Sequence, residues 1–309
     1  MNTNLRTAYG EKLAELGKNN TRIVVLDADL CKSTMGVLFE NSYPDRHFEM
    51  GIAEANMASV AAGLALTGKI PFMASFAAFV PGRCYDQIRT SICIPGLNVK
   101  ICGSSAGLSD FGDGSTHQSI DDIALMRMLP GMQVFSPVDA VQTGQIVEYM
   151  AAENGPMYIR INRNDLPILT PQEQQFIPGK LYTMHEGDDI AIFATGITVS
   201  IALDAAKELA NKGVKAKVLN VPTIKPLDEA ELLDICNETE AYITFEEHSI
   251  YGGLGDAVNA VVAPKLARKH IRIGIPDTFG TSAQNYNVLL EHYGFIPETV
   301  TKAVMDLLG

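Results

Sequence analysis

At 309 residues, 47% apolar and 19% charged, the chain has the composition of a folded globular protein with room for two domains of ordinary size. Its formal charge of −12 argues against nucleic acid and against an anionic membrane surface as partners. No apolar run is long enough to span a bilayer and the opening Met1-Asn2-Thr3-Asn4-Leu5-Arg6 lacks the apolar stretch of a signal peptide, so a cytoplasmic protein is expected.

Residues 1–20 read as an amphipathic helix through Leu5, Tyr9, Leu13 and Leu16, stopped at Gly17 and Asn19-Asn20. Ile23-Val24-Val25-Leu26 follows as a buried strand whose end carries Asp27-Ala28-Asp29, and in open α/β sheets ligands sit at such strand ends. Next, Phe48-Glu49-Met50-Gly51-Ile52-Ala53-Glu54 turns from strand to helix. Met57, Val60, Ala61, Leu64 and Ala65 recur at helical spacing, which puts Glu54 in the first turn. There the helix N-terminus favours its charge while the apolar surroundings oppose it. Taken alone, such a glutamate does no more than balance the helix dipole. A strand over 70–73 leads through Ser75-Phe76-Ala77-Ala78-Phe79 to a helix near 85–89, and a strand over 99–102 feeds a Gly/Ser-rich loop over 103–119. That loop is long for a compact domain, which marks it as functional.

A helix over 121–128, a strand over 132–135, a helix opened by Ser136-Pro137 and a strand over 157–161 continue the alternation. Three prolines and a Gln-rich patch without period interrupt it, and a second β/α series runs from Ile190. The fold class is therefore α/β, with two tandem open parallel-sheet domains and helices on both faces: a first domain over 1–165, a linker over 166–188 and a second domain over 189–309. Five scattered cysteines, Cys31, Cys84, Cys93, Cys102 and Cys236, have neither disulfide nor zinc-site spacing and read as buried or incidental thiols, so no metal ligands are expected on this chain.

Several chemistries drop out. There is no Gly-Lys-Ser/Thr phosphate loop and no His-Glu-x-x-His. Gly103-Ser104-Ser105-Ala106-Gly107 has the letters of a nucleophile elbow, but a long loop rather than a helix follows it. What remains is the helix-start Glu54, the strand-end Asp29, Phe76 and Phe79 three apart, His117 in the Gly-rich loop, and the arginines Arg6, Arg160 and Arg163. An acid, an aromatic pair, a histidine and anion-binding arginines point to proton transfer on an aromatic cofactor with an anionic substrate.

Six motifs in order carry a resemblance: Arg-x-Ala-Tyr-Gly at Arg6, Leu-Asp-Ala-Asp followed by Ser33-Thr34, Gly-Ile-Ala-Glu-x-Asn-Met at Gly51, Ser-Phe-Ala-Ala-Phe at Ser75, Asp-Gln-Ile-Arg at Asp86, and Asp-Gly-x-Thr-His-Gln at Asp113. With them the chain resembles the C-terminal section of transketolase, as found where that thiamine-diphosphate enzyme is divided between two subunits. The resemblance covers nearly the whole chain and implies a pyrimidine-binding domain followed by a transketolase C-terminal domain. It implies that Glu54 hydrogen-bonds the aminopyrimidine ring nitrogen of thiamine diphosphate, that Phe79 stacks on that ring with Phe76 beside it, and that Asp29 reaches the cofactor of a neighbouring site. His117 would act on substrate hydroxyls and protons, Asp113 would bind a sugar hydroxyl, and Arg6, Ser33 and Arg163 would hold the substrate's terminal phosphate.

Two departures qualify the likeness. Ser105 stands where the family usually has a second substrate-touching histidine, which leaves room for another anionic sugar. The half that grips the diphosphate and its Mg2+ or Ca2+ is missing, so a partner N-terminal transketolase subunit is implied, in an α2β2 assembly. Carbohydrate metabolism by ketol transfer from a ketose to an aldose is the expected function. The β-type subunit of a 2-oxo acid dehydrogenase and a non-catalytic interaction subunit of the same fold are the alternatives. His248 reads as a structural residue at a helix start. The main reading requires the Glu54 carboxyl to face a cleft rather than close a private ion pair.

Overall fold

Near-continuous apolar runs of four to seven residues are what strands buried on both faces demand, and they set the architecture. The computed structural model of the chain describes residues 2–309. Seven strands form the first sheet, in the spatial order Thr223–Lys225, Gln133–Phe135, Met157–Ile161, Lys100–Ser104, Ile70–Phe76, Ile23–Asp27 and His47–Glu49. All neighbours are parallel except Thr223–Lys225, which runs antiparallel to Gln133–Phe135. The second sheet orders Lys269–Ile275, Ala241–Ser249, Ile190–Ala194, Ala216–Asn220 and Tyr182–His185, with only the last strand antiparallel. Helices cover both layers, giving the α/β class the alternation predicts.

The differences from the sequence reading have local causes. Residues Asn2–Asn4 do not begin the first helix; they form a short strand against Asp165–Pro167. The helix Leu5–Asn19 starts only after Asn4, whose side chain accepts the Arg6 N–H and so fixes the start. Around 85–89 the chain winds through Val80–Arg83, Tyr85–Gln87 and a π-type turn over Ile88–Cys93, the first interruption falling at Cys84, whose φ −119° and ψ 24° are not helical. Tyr182–His185 lies within the stretch read as linker, and Thr223–Lys225 crosses from the second half to edge the first sheet. The two domains are thereby interleaved.

Their junction is buried and polar. Arg160, on Met157–Ile161, donates to both oxygens of Asp122 at 2.9 and 3.1 Å and to the Glu247 carbonyl at 3.2 Å. Burial works against this guanidinium's charge, yet Asp122 and Glu247 raise its pKa above the ordinary value. The Glu247 carboxylate accepts the Leu108 N–H at 2.9 Å and the Tyr286 hydroxyl at 2.7 Å. Gly107, at φ 67°, is required there, since a Cβ would collide with the Glu247 carboxyl group.

Burial pushes the Glu247 carboxyl up to about 7. Because the folded value lies above the unfolded one, near 4.3 on the reference scale, the stability this proton contributes is complete at low pH and is lost as pH rises through about 7. Denaturant titrations at pH 5, 6 and 7 should therefore show a falling midpoint. In Glu247→Gln the slope should be shallower by up to about 1.4 kcal/mol per pH unit; an identical slope in both proteins would rule out this carboxyl as a source.

Candidate functional site

Glu54 is the first residue of the helix Glu54–Leu66, and Ala53 before it offers no side-chain cap. The approach is pinned: the Met50 N–H reaches the Asp27 carbonyl at 2.9 Å, and one Glu49 oxygen accepts from Asp29 N–H at 2.7 Å and Gly51 N–H at 2.9 Å. The strand-end turn and the start of the helix are thus one unit. Glu54 is only 4% exposed, and a buried carboxylate needs a cation or a proton.

Arg83 supplies the cation, donating to Glu54 Oε1 at 2.7 Å. The ion pair is not sealed. The Arg83 side chain is 48% exposed, and its guanidinium carbon lies over the Phe79 ring, 3.9 Å from the centroid. Phe79 in turn stacks with Phe76 at 5.7 Å and 29°. His117 sets its edge against both rings, with centroids 5.3 Å from Phe79 and 6.2 Å from Phe76. Acid, aromatic pair and histidine therefore meet at one place, at the carboxyl end of the strand Ile70–Phe76.

The residues expected to bind an anion adjoin it. Arg163 lies 5.9 Å from the Phe76 ring and ion-pairs with Asp110. Burial raises the Asp110 carboxyl against the pull of Arg163, with Asp113 adding to the rise and His117 opposing it, which places these four groups around one loop. Arg6 donates to the Ser33 carbonyl at 3.0 Å, and burial together with Arg163 lowers its pKa. Arg6 and Arg163 line a cleft of about 540 Å³ with Asn164, Asp165, Asn285, Tyr286 and Asn287. Asp113 is exposed at the loop tip.

Other expected residues sit differently. Asp29 is exposed in the left-handed region, φ 61°, and lines a separate cavity with Ser33 and Glu49. Ser105 is fully buried at φ 55°, its hydroxyl without a partner, so its side chain does not open onto the cleft. Arg160 is not available to a substrate anion, because Asp122 and the Glu247 carbonyl occupy its donors. His248 lies on the strand Ala241–Ser249 rather than at a helix start, fully buried, with Nε2 facing the Ala124 N–H at 3.4 Å. Sequence reasoning missed Arg83, Asp110, Asn285 and Asn287. The only available signal was Arg83 lying just after the Phe pair.

The arrangement fits a flat, nitrogen-rich ring. Arg83 shows that a planar N–C–N group can share a hydrogen bond with Glu54 while lying over Phe79, and an aminopyrimidine fits the same space, its ring nitrogen sharing a proton with the carboxyl.

Comparison with known proteins agrees. Residues 2–168 match the family described as Transketolase, pyrimidine binding domain, and residues 179–300 the Transketolase, C-terminal domain. The 6-deoxy-6-sulfo-D-fructose transketolase subunit SqwH of Clostridium sp. (strain MSTE9) is 40% identical over 303 residues, covering 98% of this chain and 94% of that one. One subunit of the apulose-4-phosphate transketolase of Actinobacillus succinogenes is 34% identical over 96% of each chain. A solved structure described as a split gene transketolase, inactive beta4 tetramer, superposes with a TM-score of 0.90 at 44% identity, covering 100% of this chain and 99% of the other. The chain belongs to the transketolase family, as the C-terminal section of the split type, a pyrimidine-binding domain followed by the transketolase C-terminal domain.

Proposed function

We propose that this chain is one subunit of a thiamine-diphosphate-dependent transketolase that moves a two-carbon ketol unit from an anionic ketose to an aldose. A companion chain would supply the diphosphate and metal site. The observation that carries the reading is the Glu54, Arg83, Phe79, Phe76 and His117 assembly, continuous with the arginine cleft. Thiamine diphosphate, when bound, supplies a carbon nucleophile that the twenty side chains lack.

The chain's own residues prepare and use that group. Glu54 holds a proton at the pyrimidine ring nitrogen, where its burial strengthens the hydrogen bond. Phe79 offers its face to the ring once Arg83 swings out, a move open to a half-exposed side chain with a single hydrogen-bond partner. His117, packed against the aromatic pair, is placed to pass protons to and from substrate hydroxyls. Arg6 and Arg163 bind the anionic tail, and Asp113 a hydroxyl. Two relatives carry names that specify sugars with a sulfonate and a phosphate tail, which supports an anionic tail here.

A companion is supported by two further observations. Ile52, two residues before Glu54, is 75% exposed, an apolar side chain beside the site that a subunit contact would cover. The structural relative is described as an inactive tetramer of β chains alone. The family assignment favours this reading over a 2-oxo acid dehydrogenase subunit.

The primary test is reconstitution. The pure chain should neither transfer ketol groups nor bind thiamine diphosphate measurably, and both should appear when the companion is added; full turnover by the isolated chain would refute the split site. In the reconstituted enzyme, Glu54→Gln should lower kcat by about 10²-fold or more with an unchanged circular dichroism spectrum. Arg163→Ala should cost about 2–3 kcal/mol in kcat/KM for an anionic ketose and much less for a neutral one; an equal loss on both would show that Arg163 serves only Asp110.

A further inference from the structure

Away from the Glu54 site, three metal-ligating side chains of different chemistry converge. Cys31 opens the short helix Cys31–Thr34, Glu40 lies on the helix Val37–Ser42, and His47 begins the strand His47–Glu49. Cys31 Sγ is 3.4 Å from His47 Nε2 and 3.5 Å from Glu40 Oε2, and one ligand atom from each residue lies within 4.8 Å of the others. Around a tetrahedral zinc ion, with bonds of about 2.0–2.3 Å, ligand atoms stand roughly 3.3–3.6 Å apart. The two spacings from Cys31 match this, and Glu40 and His47 lie close enough to complete the set by a shift of the Glu40 side chain, which is 45% exposed, against a His47 side chain only 3% exposed.

The electrostatics are those of a cation site. Burial, Asp27, Glu40 and Glu49 all bear on the Cys31 thiol, so three carboxyl groups surround it. Among the described residues none of these three forms an ion pair with a lysine or arginine, although Lys32 lines the adjoining cavity. A divalent ion between the three ligands would be attracted by the carboxyl groups around it. A cavity of about 270 Å³, lined by Asp29, Leu30, Cys31, Lys32, Ser33 and Glu49, opens beside the cluster and provides an access route and room for a water ligand.

We propose that Cys31, Glu40 and His47 bind a zinc-class divalent ion, with water completing a four-coordinate site. Sulfur and imidazole ligands select zinc, cobalt or nickel over magnesium and calcium, which take oxygen. The site is therefore distinct from one that grips a diphosphate. Binding replaces the S–H bond by an S–metal bond and releases the proton to solvent, so affinity rises with pH. The ion ties the turn that carries Asp29 and Ser33 to the edge strand of the first sheet. The proposal stands apart from the ketol-transfer reading, since its ligands take no part in that chemistry.

The test uses the full chain, stripped with chelator and titrated with Co2+. One equivalent should produce a thiolate-to-cobalt charge-transfer absorption together with the intense visible bands of tetrahedral cobalt, and Zn2+ should displace both. Cys31→Ser should abolish the charge-transfer band. Cys31→Ser and His47→Gln should each weaken Zn2+ binding by at least about 10-fold, while Cys93→Ser, at the other partly exposed thiol, leaves it unchanged. Absence of the charge-transfer band in the unsubstituted chain overturns the proposal whatever the variants do. So does its survival in Cys31→Ser, or equal Zn2+ affinity in His47→Gln, with circular dichroism confirming that the variants are folded.

Discussion

A carboxylate that starts a helix and is withdrawn from water has to be matched by positive charge, and the first domain is arranged around how Glu54 meets that need. The helix N-terminus contributes part of the match through its free N–H groups. The remainder comes from Arg83, a planar cation that lies over Phe79 and donates one N–H to the carboxylate. Leaving Glu54 without any partner would cost several kcal/mol, as breaking a buried pair does. Lodging Arg83 over an aromatic face recovers some of that cost through the ring's quadrupole. The pair is partly open to solvent on the Arg83 side, which the proposed function requires if Arg83 is to give way to a ligand. A fully buried partner would have made Glu54 structural only.

The second domain contributes to this site by holding the loop over 103–119 in place. Glu247 accepts Leu108, the Gln118 amide reaches the Thr281 carbonyl at 2.9 Å, and Gly114 at φ 73° lies against the Ser282 backbone. These contacts fix both ends and the middle of the loop that presents Asp113 and His117. The same domain sends Asn285 and Asn287 into the arginine cleft. Loss of the junction would therefore release the histidine from the aromatic pair even with the first sheet intact.

How much of this was legible follows from which forces act locally. The parallel strands were readable because burial on both faces leaves an unbroken apolar run, as in Ile23–Asp27 and Met157–Ile161. Tyr182–His185 was not, because only Tyr182 in it is buried and antiparallel pairing, not hydrophobic pattern, holds it. Glu54, Phe76, Phe79 and His117 could be picked out by motif, and the structure brings them together. Arg160 and Arg163 show the limit. Three residues apart and alike in type, one is consumed by Asp122, 38 positions earlier, and the other opens to the cleft. No local pattern encodes a partner so distant. Cys31, Glu40 and His47, scattered at irregular intervals, escaped the search for metal spacing for the same reason: a helix and a turn fold back between them.

The arginine cleft also shows why net charge is a poor guide to a site. The chain as a whole is at −12, yet two guanidiniums stand close enough that Arg163 depresses the pKa of Arg6. They are offset by Asp110 and Asp165, which act on Arg6 in the opposite sense. Two cations against two carboxylates leave little surplus charge, so attraction alone does not select an anionic tail. Geometry has to do it: Asp110 holds the Arg163 fork oriented, and the amides of Asn164, Asn285 and Asn287 line the same wall. Under the proposed function, an incoming tail would compete with Asp110 for Arg163 and gain amide donors in exchange, which would reward three outward oxygens more than formal charge. The cleft draws on both domains, since Arg6, Arg163 and Asn164 come from the first and Asn285 and Asn287 from the second.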